Sequence, residues 1–145
     1  MSRMRRLFHA SALAILGALA LAAPAHAVDA LDTHAYAGNW RVDGGSTIAD
    51  GRAICAPIDG VLDEGGQLAE VERASRDLIR MTVTRRSASG GRALDGPYIV
   101  SIAGEDGRVV MTRPGRRDEV LMDGADAFRL LPLDGGGAQI FRRCP

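Results

Sequence analysis

The residues of this 145-residue chain that could do chemistry are few and do not converge on a reaction. His34 is the only histidine after residue 27, and no nucleophile and orienting group stand near it in sequence to make a catalytic relay. A zinc centre needs about four nitrogen or sulfur ligands, more than one histidine and two cysteines supply. The adjacent acids Glu105-Asp106 and Asp118-Glu119 are the candidates for half of a glycosidase dyad or a weak calcium site, but neither spacing sets two carboxylates opposite each other. Asp43, Asp50, Asp59, Asp95, Asp106, Asp123 and Asp134 lie beside or near glycine, where a carboxylate bonds to the backbone of its own turn. The glycine-rich Asp134 to Ala138 lacks the lysine and the following helix of a phosphate loop. No catalytic residue, metal site or cofactor is expected.

Two arginine groups remain, Arg85-Arg86 and Arg113-Pro114-Gly115-Arg116-Arg117. The second is the denser. Arg113, Arg116 and Arg117 are therefore the candidate partner contacts, at what reads as a hairpin tip, although Asp118 and Glu119 follow at once and offer intramolecular ion pairs. No aromatic residue interleaves with either group, so single-stranded nucleic acid is not an expected partner.

The first six residues carry Arg3, Arg5 and Arg6, and an apolar run follows from Ala10 to Ala23. That run is short for a bilayer span. With Pro24-Ala25-His26-Ala27 behind it, it reads as a signal peptide cleaved after Ala27, leaving a chain of about 118 residues in the periplasm or secreted, with no transmembrane segment. Cleavage leaves 15 basic against 18 acidic residues, a balance that gives no general attraction for nucleic acid or anionic membrane. Every basic residue is arginine. Cys55 and Cys144, the only two cysteines, both remain, and in an oxidising compartment they are expected to form one disulfide; two free thiols are the alternative.

What must position these groups is a β domain. After a leader, Val28 to Ala37, expected to be flexible, brief extended runs alternate with glycine and aspartate turns: Trp40 to Val42, Ala53 to Ile58, Gln67 to Arg73, Leu78 to Thr84, Tyr98 to Ala103, Arg108 to Thr112, Glu119 to Met122, Ala127 to Leu131 and Ala138 to Arg143. Ile79, Met81 and Val83 alternate with Arg80, Thr82 and Thr84, so one face is buried and the other wet. Asp63 to Arg73 is also compatible with a short helix or turn, and Arg73 to Asp77 with the cap of another. The fold expected over residues 38–145 is all-β: a small antiparallel meander of about eight strands, closed or nearly closed into a barrel, because closure removes exposed edges. A sandwich or a curled open sheet is the alternative.

Gly38 and Trp40 stand at the entry to the first strand, and Arg142 and Arg143 precede Cys144 at the other end. Gly38 permits close approach, Trp40 offers an apolar plate, and the two arginines are candidates to stack on it and close the barrel. This order, Gly38-x-Trp40, a hairpin meander, then a terminal arginine and cysteine, resembles the calycin group of small barrels, which includes lipocalins and periplasmic inhibitors of bacterial metalloproteases. The resemblance implies either an apolar ligand inside the barrel or insertion of residues 28–37 into a protease cleft. The chain is short for a ligand-carrying lipocalin, and the wide separation of Cys55 from Cys144 departs from the inhibitors. A cavity lined by Ile79, Met81, Val83, Val100, Ile102, Val110 and Leu121 would favour the ligand; a solid core with an extended leader would favour the inhibitor. The function expected is a non-catalytic envelope binding protein for an apolar ligand or a protein partner, with a structural or interaction module of the envelope as the other class.

Overall fold

The structure, a computed structural model, describes residues 28–44 and 54–145. The expected signal segment 1–27 lies outside the described residues, as does Ala53. Eight strands each pair antiparallel with the next: β1 (Gly38–Gly44), β2 (Gln67–Arg73), β3 (Leu78–Arg86), β4 (Arg92–Glu105), β5 (Arg108–Arg113), β6 (Arg116–Met122), β7 (Ala127–Pro132) and β8 (Gln139–Arg143). β8 pairs back onto β1, with Trp40 opposite Arg143 and Val42 opposite Phe141. The chain is thus an all-β, closed eight-stranded antiparallel barrel with one disulfide, as its turns and alternation imply.

Alternation decides which side chains fill it. Trp40 and Val42 of β1, Ala69 and Val71 of β2, and Ile79 and Met81 of β3 are at most 3 % exposed and form one apolar cluster with Val100, Ile102, Met111, Val120, Phe128, Leu130 and Phe141. β4 is longer than the run Tyr98 to Ala103 suggested because it bends. Met81 faces Tyr98 while Val83 faces Asp95, so β4 carries an extra residue at Gly96-Pro97. Gly96 has φ +101°, and a Cβ there would lie 2.7 Å from the Met81 carbonyl oxygen, so the bulge admits no side chain.

Ala53 to Ile58 is not a strand where it is described: Ile58–Asp63 forms the helix α1, with Val61 and Leu62 buried. Ile58, Val61 and Leu62 have the i, i+3, i+4 spacing of a helix face, and that period overrides the β-rich surroundings. The short helix weighed for Asp63 to Arg73 accordingly ends at Asp63, and Gln67–Arg73 is strand throughout; residues 74–77 make the β2–β3 connection without a helix. α1 is held to the outside of the barrel by Arg41, an outward-facing β1 residue only 6 % exposed. Its Nε meets Asp43 and its Nη2 meets Glu64, both at 3.0 Å.

One end of the barrel is sealed. Residues 28–37, expected as a flexible leader, fold across it, with a 3₁₀ turn at Thr33–Tyr36 whose Tyr36 and Thr33 are buried. Thr33 Oγ1 donates to the Ser75 carbonyl at 2.8 Å and accepts from Arg73 Nε at 3.0 Å. Tyr36 Oη donates to the Ala30 carbonyl at 2.6 Å. Burial first, then the charge of Asp29, pushes the Tyr36 hydroxyl well above the ordinary phenol range. An unfolded chain releases this proton near about pH 10 whereas the folded chain keeps it, so the contribution is complete below about pH 10 and is lost progressively as pH rises above it. Thermal unfolding followed from about pH 8 to about pH 11 should show that alkaline decline, and Tyr36→Phe should flatten it. An equal decline in the variant would assign it elsewhere.

Candidate functional site

At the sealed end, Trp40 lies among rings: Phe128 packs edge-on against Trp40 at 4.9 Å and Tyr36 at 5.2 Å, and stacks on Phe141 at 4.4 Å. Trp40 Nε1 donates to the Tyr36 carbonyl at 2.8 Å. The Arg143 guanidinium sits 4.2 Å over the Trp40 ring, with Nη1 donating to Ala37 O at 2.7 Å and Nη2 to Ala35 O at 2.9 Å. Arg142 does not share this task. One residue earlier, it lies on the outward side of β8, because Phe141 and Arg143 take the inward side. Gly38, at φ +130°, leaves room for Arg143: a Cβ there would stand 2.7 Å from its Nη1. Gly38→Ala should cost about 1–3 kcal/mol, combining a strained backbone with displacement of that guanidinium, and chemical denaturation reads the loss.

Among the described residues, the side chains expected to line an apolar cavity pack into the core or face away from it. Ile79, Met81 and Val100 are fully buried in the aromatic and aliphatic cluster, with Ile102 and Val83 packed beside them. Val110 and Leu121 lie on the outer strand face, since their neighbours Met111, Val120 and Met122 take the inward positions, and Val110 is nevertheless buried there. Nor is the whole of Val28 to Ala37 extended for insertion into a protease, because Thr33 and Tyr36 are locked in the plug.

The opposite end is polar among the described residues, and the arginine hairpin builds it. Pro114-Gly115 alone forms the turn, while Arg113 ends β5 and Arg116 begins β6 directly across from it. Strand alternation then sorts the basic residues. Arg113 and Arg116 turn toward the barrel mouth, and Arg117 turns out to pair with Glu105. Asp118, next on the inward side, is fully buried between the first two: Arg116 Nε donates to its Oδ1 and Oδ2 at 2.7 and 2.9 Å, and Arg113 Nη2 to its Oδ2 at 3.1 Å. Arg113 Nη2 also donates to Gln139 Oε1 at 2.8 Å. Its Nε is buried with no acceptor. Burial lowers the Arg113 pKa more than Asp118 raises it, and the charge of Arg116 adds to the lowering.

Tyr98 completes the mouth, within electrostatic range of both Arg113 and Arg85; the latter is paired with Asp95. Tyr98, Arg113, Pro114, Arg116 and Gln139 line a shallow cavity of about 220 Å³. A second hollow, of about 600 Å³, is lined by Leu133 and Asp134 together with Arg113, Arg116 and Arg117. The sequence signal for Asp118 was present: Arg116, Asp118, Val120 and Met122 share one period-2 face, so the run continuing into the core carries its carboxylate inward.

The remaining candidates stay apart. His34 is exposed on the plug, and the adjacent acids split across strand faces or a turn, Asp106 having φ +50° in the β4–β5 hairpin. Arg86 pairs with Asp59 and Asp63, tying β3 to α1. Cys55 and Cys144 form the disulfide, with Cα atoms 5.6 Å apart. No group of three metal-ligating side chains occurs among the described residues, and no helix among them is long and apolar enough to cross a membrane.

No family model matches the chain, and no curated protein matches it. Among solved structures, a redesigned β-barrel is similar, at 12% identity and a TM-score of 0.47, over 78% of this chain and 95% of that one. The closed eight-stranded barrel is consistent with calycin-like barrels in general; no lipocalin or inhibitor family is matched.

Proposed function

We propose that this chain is a non-catalytic binding protein acting in the periplasm or as a secreted protein, and that it engages its ligand through the arginine-lined end of the barrel. A closed barrel of this kind is consistent with ligand binding without catalysis. The observation that carries the choice of end is the contrast between the two. The Trp40 end is packed shut and saturated with hydrogen bonds, whereas the Arg113 end keeps a buried donor without an acceptor beside a cavity. The compartment is supported by the basic and apolar N-terminal pattern and by a disulfide that joins positions 89 residues apart.

Native mass spectrometry of the full chain isolated from its own host tests the reading. A stoichiometric adduct that is lost on denaturation is the expected result. A bare chain, together with no partner retained in a parallel pull-down, would overturn it. Thiol alkylation of both cysteines without reductant, in protein recovered from the cytosolic fraction, would overturn the compartment.

A further inference from the structure

Resting on that reading, we propose that the barrel mouth is a site for a single carboxylate carried on a short apolar stem. Charge defines the ligand first. Arg85 is balanced by Asp95, but Arg113 and Arg116 share one carboxylate, Asp118, which among the described residues leaves one positive charge unmatched in the mouth. A monoanion neutralises that charge; a dianion would place surplus negative charge against the fully buried Asp118.

Hydrogen-bond capacity defines it second. Arg113 Nε has no acceptor, and among the described residues neither the Tyr98 hydroxyl nor the Gln139 amide nitrogen has a side-chain or backbone acceptor. The mouth therefore has donors to spare, and an electron-rich oxygen is what they lack. Shape comes third. Guanidinium forks match the two oxygens of a planar carboxylate, and the rings of Tyr98 and Pro114 give the cavity apolar walls against which a few carbons pack. Asp134 is exposed in the second hollow and does not line this cavity.

The test is a nuclear magnetic resonance titration of the full disulfide-bonded chain, at constant ionic strength, with benzoate, benzamide and inorganic phosphate. Benzoate should shift the Tyr98, Arg116 and Arg113 Nε signals in one saturable process. Benzamide should leave them in place, and phosphate should bind at least about tenfold more weakly. Arg113→Gln should weaken benzoate by about tenfold or more. If that variant does not fold, the Arg113 Nε signal of the unaltered chain still decides. A dipeptide ending in phenylalanine, compared with its C-terminal amide, separates a peptide terminus from a free acid as the source of the carboxylate.

Equal binding of benzamide, or phosphate binding as tight as benzoate, would overturn the carboxylate assignment and leave the binding function standing. An unresponsive mouth in a chain that carries a ligand by native mass would overturn the site alone. A chain that isolates bare, yet binds benzoate at the mouth, would uphold the site and count against the wider function.

Discussion

Replacing Cys55 and Cys144 together by serine is expected to lower the unfolding free energy by about 4–5 kcal/mol, the chain-entropy value for a loop of this length. The bridge spans 89 positions and contains nearly the whole described barrel, so the unfolded chain gains much freedom when it is cut. A native-state loss adds to this. Cys144 follows β8, and its N–H donates to the Asn39 carbonyl at 2.8 Å, so the bridge fastens the segment before α1 to the seam where the barrel closes. For a domain of about 118 residues, that loss lowers the melting temperature by about 15 °C. Urea unfolding of the full chain with and without reductant measures it. A change below about 1 kcal/mol would mean that the unfolded chain already holds these ends together.

Phe128→Ala should be nearly as damaging, at about 3–5 kcal/mol, because it empties the centre of the aromatic plug. Phe128 touches three rings at once, and each such pair is worth about 0.5–1.5 kcal/mol beyond area burial. The side chain is fully buried, on a strand paired with β6 on one side and β8 on the other. Phe128→Leu keeps most of the volume and should cost clearly less than the alanine change. Equilibrium denaturation of both variants provides the comparison. Equal losses would mean that ring geometry, rather than the void, dominates.

The strands were legible where alternation ran unbroken, as at Ile79, Met81 and Val83. They were obscured where geometry intervened. Gly96-Pro97 reads as a stop, yet it is a bulge inside β4, since pairing with β3 resumes on both sides of it. Ile58 looked like the end of an extended run because the helix it begins is only six residues long, too short for a full amphipathic pattern. The closing role of Trp40 could be anticipated from one terminus at a time, but the choice between Arg142 and Arg143 depended on strand register, which only the pairing of β8 with β1 fixes. The mouth was hardest. Arg113, Arg116 and Arg117 read as one patch of like charge at a tip, and the structure divides them by strand face into two inward groups and one outward.

The seam between β1 and β8 also orders events in time. Gly38–Gly44 must wait for Gln139–Arg143, about a hundred positions later, before one of its edges is paired. Contacts so distant along the chain make folding slow, on the scale of about milliseconds to seconds. Until Gln139–Arg143 is available to pair, the hairpins can form but the cylinder cannot. A barrel built this way keeps an unpaired edge on β1 until β8 reaches it.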